Sequence, residues 1–314
     1  MSPVLGFSIS CYKGDVPLLR GCLESIRYFA PDAPICLIVD GDFSTQTLER
    51  AYGVQVIRRA DVTDPGLRRW SFGFGFTKMV AFWESPFDIV FHIDADTVLW
   101  GDIRKNLPTP PWDVVYNEPH EVITPAIQLD QYFDPARIFE VIEPFPWEGN
   151  PYFNSGTLCV RRGALDLDEY LRLLELQRKH PDIISFDQGL LNILVFRAVH
   201  EGKVRASAAH LQTIVALFSK AELEARFRIE AGRPVIGDKP SIIHWAGIKP
   251  WQGNDKIFSR SMNFFRQKAM QRCGLPAIVP LQAAMAMDEF MCRRMPKYIL
   301  AAKKTVKRAL GRPV

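Results

Sequence analysis

At 314 residues and 47% hydrophobic, the chain can bury a sizeable core, which excludes a disordered protein and fits one large α/β domain or two small ones. The net charge of +4 is unevenly placed: from Phe290 onward there are eight Lys or Arg and no Asp or Glu, so the tail carries +8 and the rest −4. A body of that sign argues against a nucleic-acid surface, while the tail suits an anionic partner such as phospholipid.

Val4 to Ser10 is a short apolar run ending at Cys11-Tyr12-Lys13-Gly14-Asp15, and Leu19, Cys22, Leu23 and Ile26 then recur at helical spacing. Ile35 to Val39 reads as a strand closed by Asp40-Gly41-Asp42, Thr45 to Tyr52 as a helix, and Val54 to Ile57 as a strand. This alternation predicts a mostly parallel sheet with helices on both faces, in which ligands bind beyond the carboxyl ends of the strands. Asp61 to Phe76 is loop-like, and Thr77 is placed to cap a helix running through Trp83. Ile89 to Ile93 is a buried strand that delivers Asp94-Ala95-Asp96 to its own C-terminal end.

After the strand Val114 to Tyr116, a Pro- and acid-rich stretch runs to about Asn150, a length more often functional than idle. Tyr152 to Val160 reads as a strand, Leu165 to Lys179 as an amphipathic helix, and Phe186 to Phe196 as a helix with Asp187 near its start. Ile242 and Ile243 end a last strand, and His244 follows at once. The stretch from Leu275-Pro276 to Pro280 marks a boundary, giving a main domain at 1–275 and a basic amphipathic C-terminal segment at 276–314. The six cysteines show no Cys-x-x-Cys spacing and read as reduced, structural residues. No signal-like start and no long apolar run occur, so a cytoplasmic protein is expected, able to sit peripherally on the inner face of a membrane through its tail.

Two aspartates separated by one residue at a strand end direct their carboxylates to one side and can share a hard divalent cation, Mn²⁺ or Mg²⁺, together with substrate phosphate oxygens. Asp-x-Asp alone also fits a solvated turn. The buried strand leading into it favours the metal, because unpaired carboxylates beside a core are costly.

Phe91-His92-Ile93-Asp94-Ala95-Asp96-Thr97-Val98, Phe153-Asn154-Ser155-Gly156, Asp187-Gln188 and His244-Trp245-Ala246-Gly247-Ile248-Lys249-Pro250-Trp251 resemble, in order and rough spacing, the motifs of glycosyltransferase family 8. That family includes glycogenin and bacterial lipopolysaccharide galactosyl- and glucosyltransferases. Its last motif commonly has two residues between Gly and Lys, whereas here only Ile248 stands between Gly247 and Lys249. The resemblance implies a GT-A fold, a Rossmann-like mixed sheet flanked by helices. It implies that Asp94, Asp96 and His244 hold the metal, and that Lys249 and the backbone near Gly247 grip the diphosphate of a nucleotide-sugar donor, a UDP-sugar by that resemblance. Lys78 is then a donor contact, Asn154 faces the sugar, Asp187 binds sugar hydroxyls, and Gln188 lies near the reacting carbon of a retaining transfer.

Each residue has a plainer role as well: an exposed helix lysine for Lys78, a turn residue for Asn154, and an N-cap for Asp187. Tyr12, Asp40, Arg68 and Arg69 are candidate nucleotide contacts by position, and Glu118 to Gly149 is the candidate acceptor segment for a glycan or lipid-linked saccharide. His92, His120, His180, His200 and His210 default to structural or surface roles. Rival readings are an inverting transferase using Glu118 or Asp187 as base, a catalytically silent sugar-nucleotide or glycan-binding protein of the same fold, and a nucleotidyltransferase, which lacks its Gly-rich loop here.

Overall fold

A computed structural model describes residues 3–73, 75–119, 123–251, 253–274 and 280–298. Apolar runs become strands in chain order: β1 (Leu5–Tyr12), β2 (Ile35–Asp40), β3 (Gln55–Arg58), β4 (Ile89–Ile93), β5 (Thr97–Trp100), β6 (Val114–Asn117), β7 (Thr157–Arg161), β8 (Ala206–Ala209), β9 (Gln212–Ile214), β10 (Ile229–Glu230), β11 (Arg233–Pro234) and β12 (Ser241–His244). Seven of them form one sheet in the order β3-β2-β1-β4-β7-β6-β8. All its pairings are parallel except those of β7, which runs against β4 and β6. The carboxyl ends of β1, β2, β4 and β6 and the start of β7 therefore share one edge. A three-stranded sheet, β5-β12-β9, meets that edge, and its register sets His244 opposite Thr97, one residue beyond Asp96.

The helices are α1 (Val16–Phe29), α2 (Gln46–Tyr52), α3 (Pro65–Trp70), α4 (Ala81–Glu84), α5 (Pro125–Gln131), α6 (Leu167–Lys179), α7 (Phe186–His200), α8 (Lys220–Arg226), α9 (Arg260–Arg272) and α10 (Leu281–Glu289). Apolar side chains fill both faces of the main sheet: Val90, Val114 and Leu158 face one cluster, and Phe7, Leu37 and Phe91 the other. Burying each such large side chain stabilises the fold by about 1.5–3 kcal/mol. Helix α7 is apolar on nearly all sides and lies inside the first cluster. Gly189 in it comes so close to the Tyr132 carbonyl that a Cβ would stand 1.7 Å from that oxygen.

Several local readings change. The loop Asp61 to Phe76 contains α3, whose Asp64 side chain accepts from the Leu67 N–H at 2.7 Å, a cap worth about 1 kcal/mol. Thr77 does not cap a helix: it lies within a 3-10 turn, Phe76–Val80, and its hydroxyl donates to Asp40 at 2.9 Å. The strand expected from Tyr152 begins only at Thr157, because Asn154 to Gly156 turn their polar groups into the site. The Pro- and acid-rich stretch after β6 carries α5. His120 lies outside the described residues.

Of the C-terminal segment, residues 299–314 lie outside the described residues, with them Lys303, Lys304, Lys307, Arg308 and Arg312. The described part is helical from Leu281 through Tyr298, with a widened turn at Phe290–Arg294. Pro296 explains the widening: it has no N–H to donate, so the helix passes it by a local π turn rather than ending. The helix rests on α1 and α9 through Met285, the Arg20–Asp288 pair and the buried Arg266–Glu289 pair at 2.6 Å.

Candidate active site

The shared strand edge opens into a cleft of about 560 Å³ whose wall includes Tyr12, Asp15, Asp40, Lys78, Asp94, Asp96 and Lys249. Asp94 leaves β4 directly on the side of His92, and the turn at Ala95–Asp96 brings the second carboxylate to the same corner. His244, at the end of β12, points its Nε2 at both carboxylates, 3.7 Å from Asp94 and 3.8 Å from Asp96. One ligand atom from each of the three lies within 4.8 Å of the others.

Lysines neutralise this acidic corner. Lys78 lies 3.1 Å from both Asp94 and Asp187, and Lys249 pairs with Asp96 and donates to the Trp245 carbonyl at 3.2 Å. One residue between Gly247 and Lys249 thus suffices to bring the lysine to the cluster. Burial alone would lower the Lys78 pKa, but Asp187 and Asp94 raise it above the usual lysine value. Burial would likewise raise Asp94, yet Lys78 and His92 hold it well below the carboxylate range. For Asp15, burial and the negative charge of Asp96 outweigh the pull of Lys249 and a Tyr12 hydrogen bond, and push its carboxyl up to about 7.

His244 fits a metal. Burial lowers its pKa, favouring the neutral imidazole, and its Nδ1 lies 2.8 Å from the Gln212 side-chain oxygen. An N–H at Nδ1 donating to that oxygen leaves the Nε2 lone pair facing the two aspartates. Gln212 is fully buried, accepts from the Thr157 hydroxyl at 2.9 Å and donates to Asn154 at 3.3 Å. Gly156 sits against this corner, where a Cβ would stand 2.3 Å from His244 Cε1 and 2.7 Å from an Asp94 oxygen.

Asn154, Ser155, Asp187 and Gln188 also converge. Asn154 donates to the Gln188 side-chain oxygen at 2.9 Å, and the Ser155 hydroxyl donates to Asp187 at 2.7 Å. Asp187 is not the N-cap of α7: Ser185 holds that position, and the Asp187 carboxylate turns to Ser155 and Lys78. Lys78 is correspondingly buried, not an exposed helix lysine. Tyr12 and Asp40 line the cleft, whereas Arg68 donates to the Val62 carbonyl at 2.9 Å and Arg69 lies over Trp70 at 4.5 Å. Glu118 pairs with His210 at 3.1 Å.

Two residues of the site, Gln212 and Asn192, carry no motif in the sequence, and a third, His92, lies inside one without a role read for it. Gln212 orients His244, Asn192 spans the Phe153 carbonyl and the Gln188 carbonyl at 2.9 Å each, and His92 reaches Asp94 at 3.2 Å. For His92 the expected structural role takes the form of a buried partner to Asp94. A histidine two residues before Asp94 in a buried strand shares its face, a signal open to sequence reading.

No family model matches the chain. The glycosyltransferase GlyB of Streptococcus pneumoniae serotype 4 is 34% identical over 128 residues, which are 40% of this chain and 30% of GlyB. The chain spans less than a third of that relative. Among solved structures, the galactosyltransferase LgtC in complex with donor and acceptor sugar analogues matches with a TM-score of 0.54 at 13% identity, over 88% of this chain and 97% of LgtC. The bifunctional glycosyltransferase WbbM matches with a TM-score of 0.55 at 14% identity, over 92% of this chain and 52% of WbbM. The fold is thus GT-A, a mixed α/β fold built on a large mostly parallel sheet. The chain is thus similar to glycosyltransferases in sequence over 128 residues and in overall fold.

Proposed function

We propose that the chain, as a family 8 glycosyltransferase, moves a hexosyl unit from a UDP-sugar to a glycan or lipid-linked acceptor with retention of configuration. The convergence of Asp94, Asp96 and His244 beside Lys78 and Lys249 carries this reading. Oxygen-rich with one imidazole, that donor set fits Mn²⁺ or Mg²⁺. Such an ion, when bound, supplies Lewis-acid stabilisation to a departing diphosphate.

The remaining work falls to the chain. Lys78 and Lys249 now balance the corner's carboxylates, and both are close enough to serve phosphate oxygens once the carboxylates engage an ion. Gly247, at φ 73° with open space where a Cβ would stand, lets the backbone approach phosphate. Asn154 and Asp187 present amide and carboxylate groups to sugar hydroxyls. Gln188 keeps its side-chain oxygen beside them, where positive charge develops at the anomeric carbon. A shallow recess joins Asn154 to Glu118, Ile123 and Tyr132, which favours the Glu118 to Gly149 stretch for the acceptor.

The test is a panel of nucleotide sugars with Mn²⁺ or Mg²⁺, with products analysed for anomeric configuration. One UDP-sugar should be consumed only with metal, with retention. Undiminished turnover by chelator-treated enzyme sinks the metal site, and an inverted product transfers the reading to a general-base mechanism.

A peripheral place on an anionic membrane is part of this proposal. No described helix is long and apolar enough to cross a membrane. The outward face of the last helix exposes Met287, Phe290, Met291 and Tyr298 beside exposed Arg294 and Lys297, a mixture suited to lying at headgroup level. Full-length protein should pellet with anionic but not neutral vesicles at low salt. A Met287→Glu, Met291→Glu variant should stay in solution; equal pelleting removes this helix from membrane binding.

A further inference from the structure

The inner side of the same helix reaches the cleft. Its widened turn, Phe290–Arg294, packs against the 3-10 turn Lys13–Asp15 that follows β1. Tyr12 and Asp15 line the cleft there. Arg293 leaves the widened turn and lays its guanidinium over the Trp251 ring, 3.6 Å from the centroid. Trp251 comes two residues after Lys249, which lines the same cleft. The guanidinium therefore stands between two stretches of chain that both build the cleft wall. Its charge is felt at the Tyr12 hydroxyl, where it opposes the upward pull of burial and Asp15 on that group's pKa.

Arg293 differs from the other cations around the cleft in its pairing. Lys78 and Lys249 are held by carboxylates, and at the root of the helix Arg20 and Arg266 are paired with Asp288 and Glu289. Among the described residues no carboxylate pairs with Arg293. A guanidinium held by an aromatic face keeps its N–H donors for an anion while losing much of its rotational freedom. Such a donor fork matches phosphate oxygens.

We propose that Arg293 is a donor-binding residue that contacts the diphosphate of the nucleotide sugar from the Tyr12–Trp251 side of the cleft. The inference rests on the donor reading above. It makes the C-terminal helix part of the donor site rather than an appendage.

Calorimetric titration of UDP and of uridine, with Mn²⁺ present, into full-length wild type, Arg293→Ala and Arg293→Lys tests it. Arg293→Ala should weaken UDP binding by about tenfold and reduce its salt dependence, with uridine binding and the melting temperature unchanged. Arg293→Lys should recover part of the loss. Equal UDP affinity in wild type and Arg293→Ala overturns the inference, as do equal losses for UDP and uridine, which assign the residue to holding the helix in place. If wild type binds none of UDP, ADP, GDP or CDP, the donor reading itself falls and Arg293 falls with it.

Discussion

The two sides of the cleft are built differently. At the corner of Asp94, Asp96 and His244, the two aspartates follow a buried strand, and the histidine ends another that pairs with the strand after Asp96. Each has a supporting group: His92 and Lys78 for Asp94, Lys249 for Asp96, Gln212 for His244. The opposite side, from Glu118 to Asn150, is mostly irregular, its α5 has no buried residue, and it exposes Leu129 and Phe139. Rigid strands hold the groups whose spacing the chemistry dictates, while loops offer surface that can change with the acceptor. Alterations on the first side should affect every reaction of the enzyme, and alterations on the second only transfer to acceptor.

The largest expected effect comes from the ligands themselves. Asp94→Asn, Asp96→Asn and His244→Ala should each lower metal-dependent donor turnover by on the order of a thousandfold. The fold should survive, because Lys78 keeps Asp187 when Asp94 is neutralised and Lys249 is partly exposed. Circular dichroism and turnover are measured together. A variant with near wild-type turnover would break the division between the two sides.

Gln212 offers a sharper test. Gln212→Leu removes the acceptor for the His244 Nδ1 proton and should weaken Mn²⁺ affinity about 10- to 100-fold. Burial keeps His244 below its ordinary pKa, so wild-type affinity should hold as pH falls until protons displace the metal from Nε2. Gln212→Glu sets a negative charge beside Nδ1, favours the imidazolium, and should start that loss at higher pH. If Mn²⁺ titration from pH 5 to 8 gives the same midpoint for Gln212→Glu and wild type, the glutamine merely fills space.

How far the site could be read from the chain follows the same division. Strand β4 and its aspartates form a continuous local pattern, and the Asn154, Asp187 and His244 segments are contiguous motifs, so all were visible without a fold. Gln212 was not: it opens a three-residue strand whose neighbour β8 is only Ala-Ser-Ala-Ala, and its role arises where two sheets meet. Strand β5, four buried residues after Asp96, passed unremarked because a run that short has no period to distinguish it. The Asp64-Pro65 signal that starts α3 was present but sat among the glycines of a loop. In the C-terminal segment, charge pattern suggested a separate unit, yet the ion pairs of Asp288 and Glu289 with arginines more than 20 residues away tie its helix to the body.

The smallest expected effect lies where the two sides meet. Phe186 has a left-handed backbone, φ 36°, and its side chain is 63% exposed, immediately before Asp187. That conformation costs about 1–2 kcal/mol in a residue with a Cβ. Two bonds to the stretch around α5 hold it there: the Ser185 N–H donates to the Tyr132 carbonyl at 2.8 Å and the Ser185 hydroxyl to the Leu129 carbonyl at 3.1 Å. On the proposed reading, an exposed ring kept under strain beside Asp187 suits the apolar face of an acceptor sugar. Phe186→Gly should therefore move stability and function in opposite directions. Relief of strain should raise stability by up to about 1 kcal/mol, while loss of the ring should raise the acceptor KM a few-fold and leave donor hydrolysis unchanged. Thermal melts, acceptor kinetics and acceptor-free hydrolysis separate these effects. If donor hydrolysis falls as far as transfer, Phe186 acts through Asp187 on the catalytic side, and the boundary between chemistry and recognition runs elsewhere.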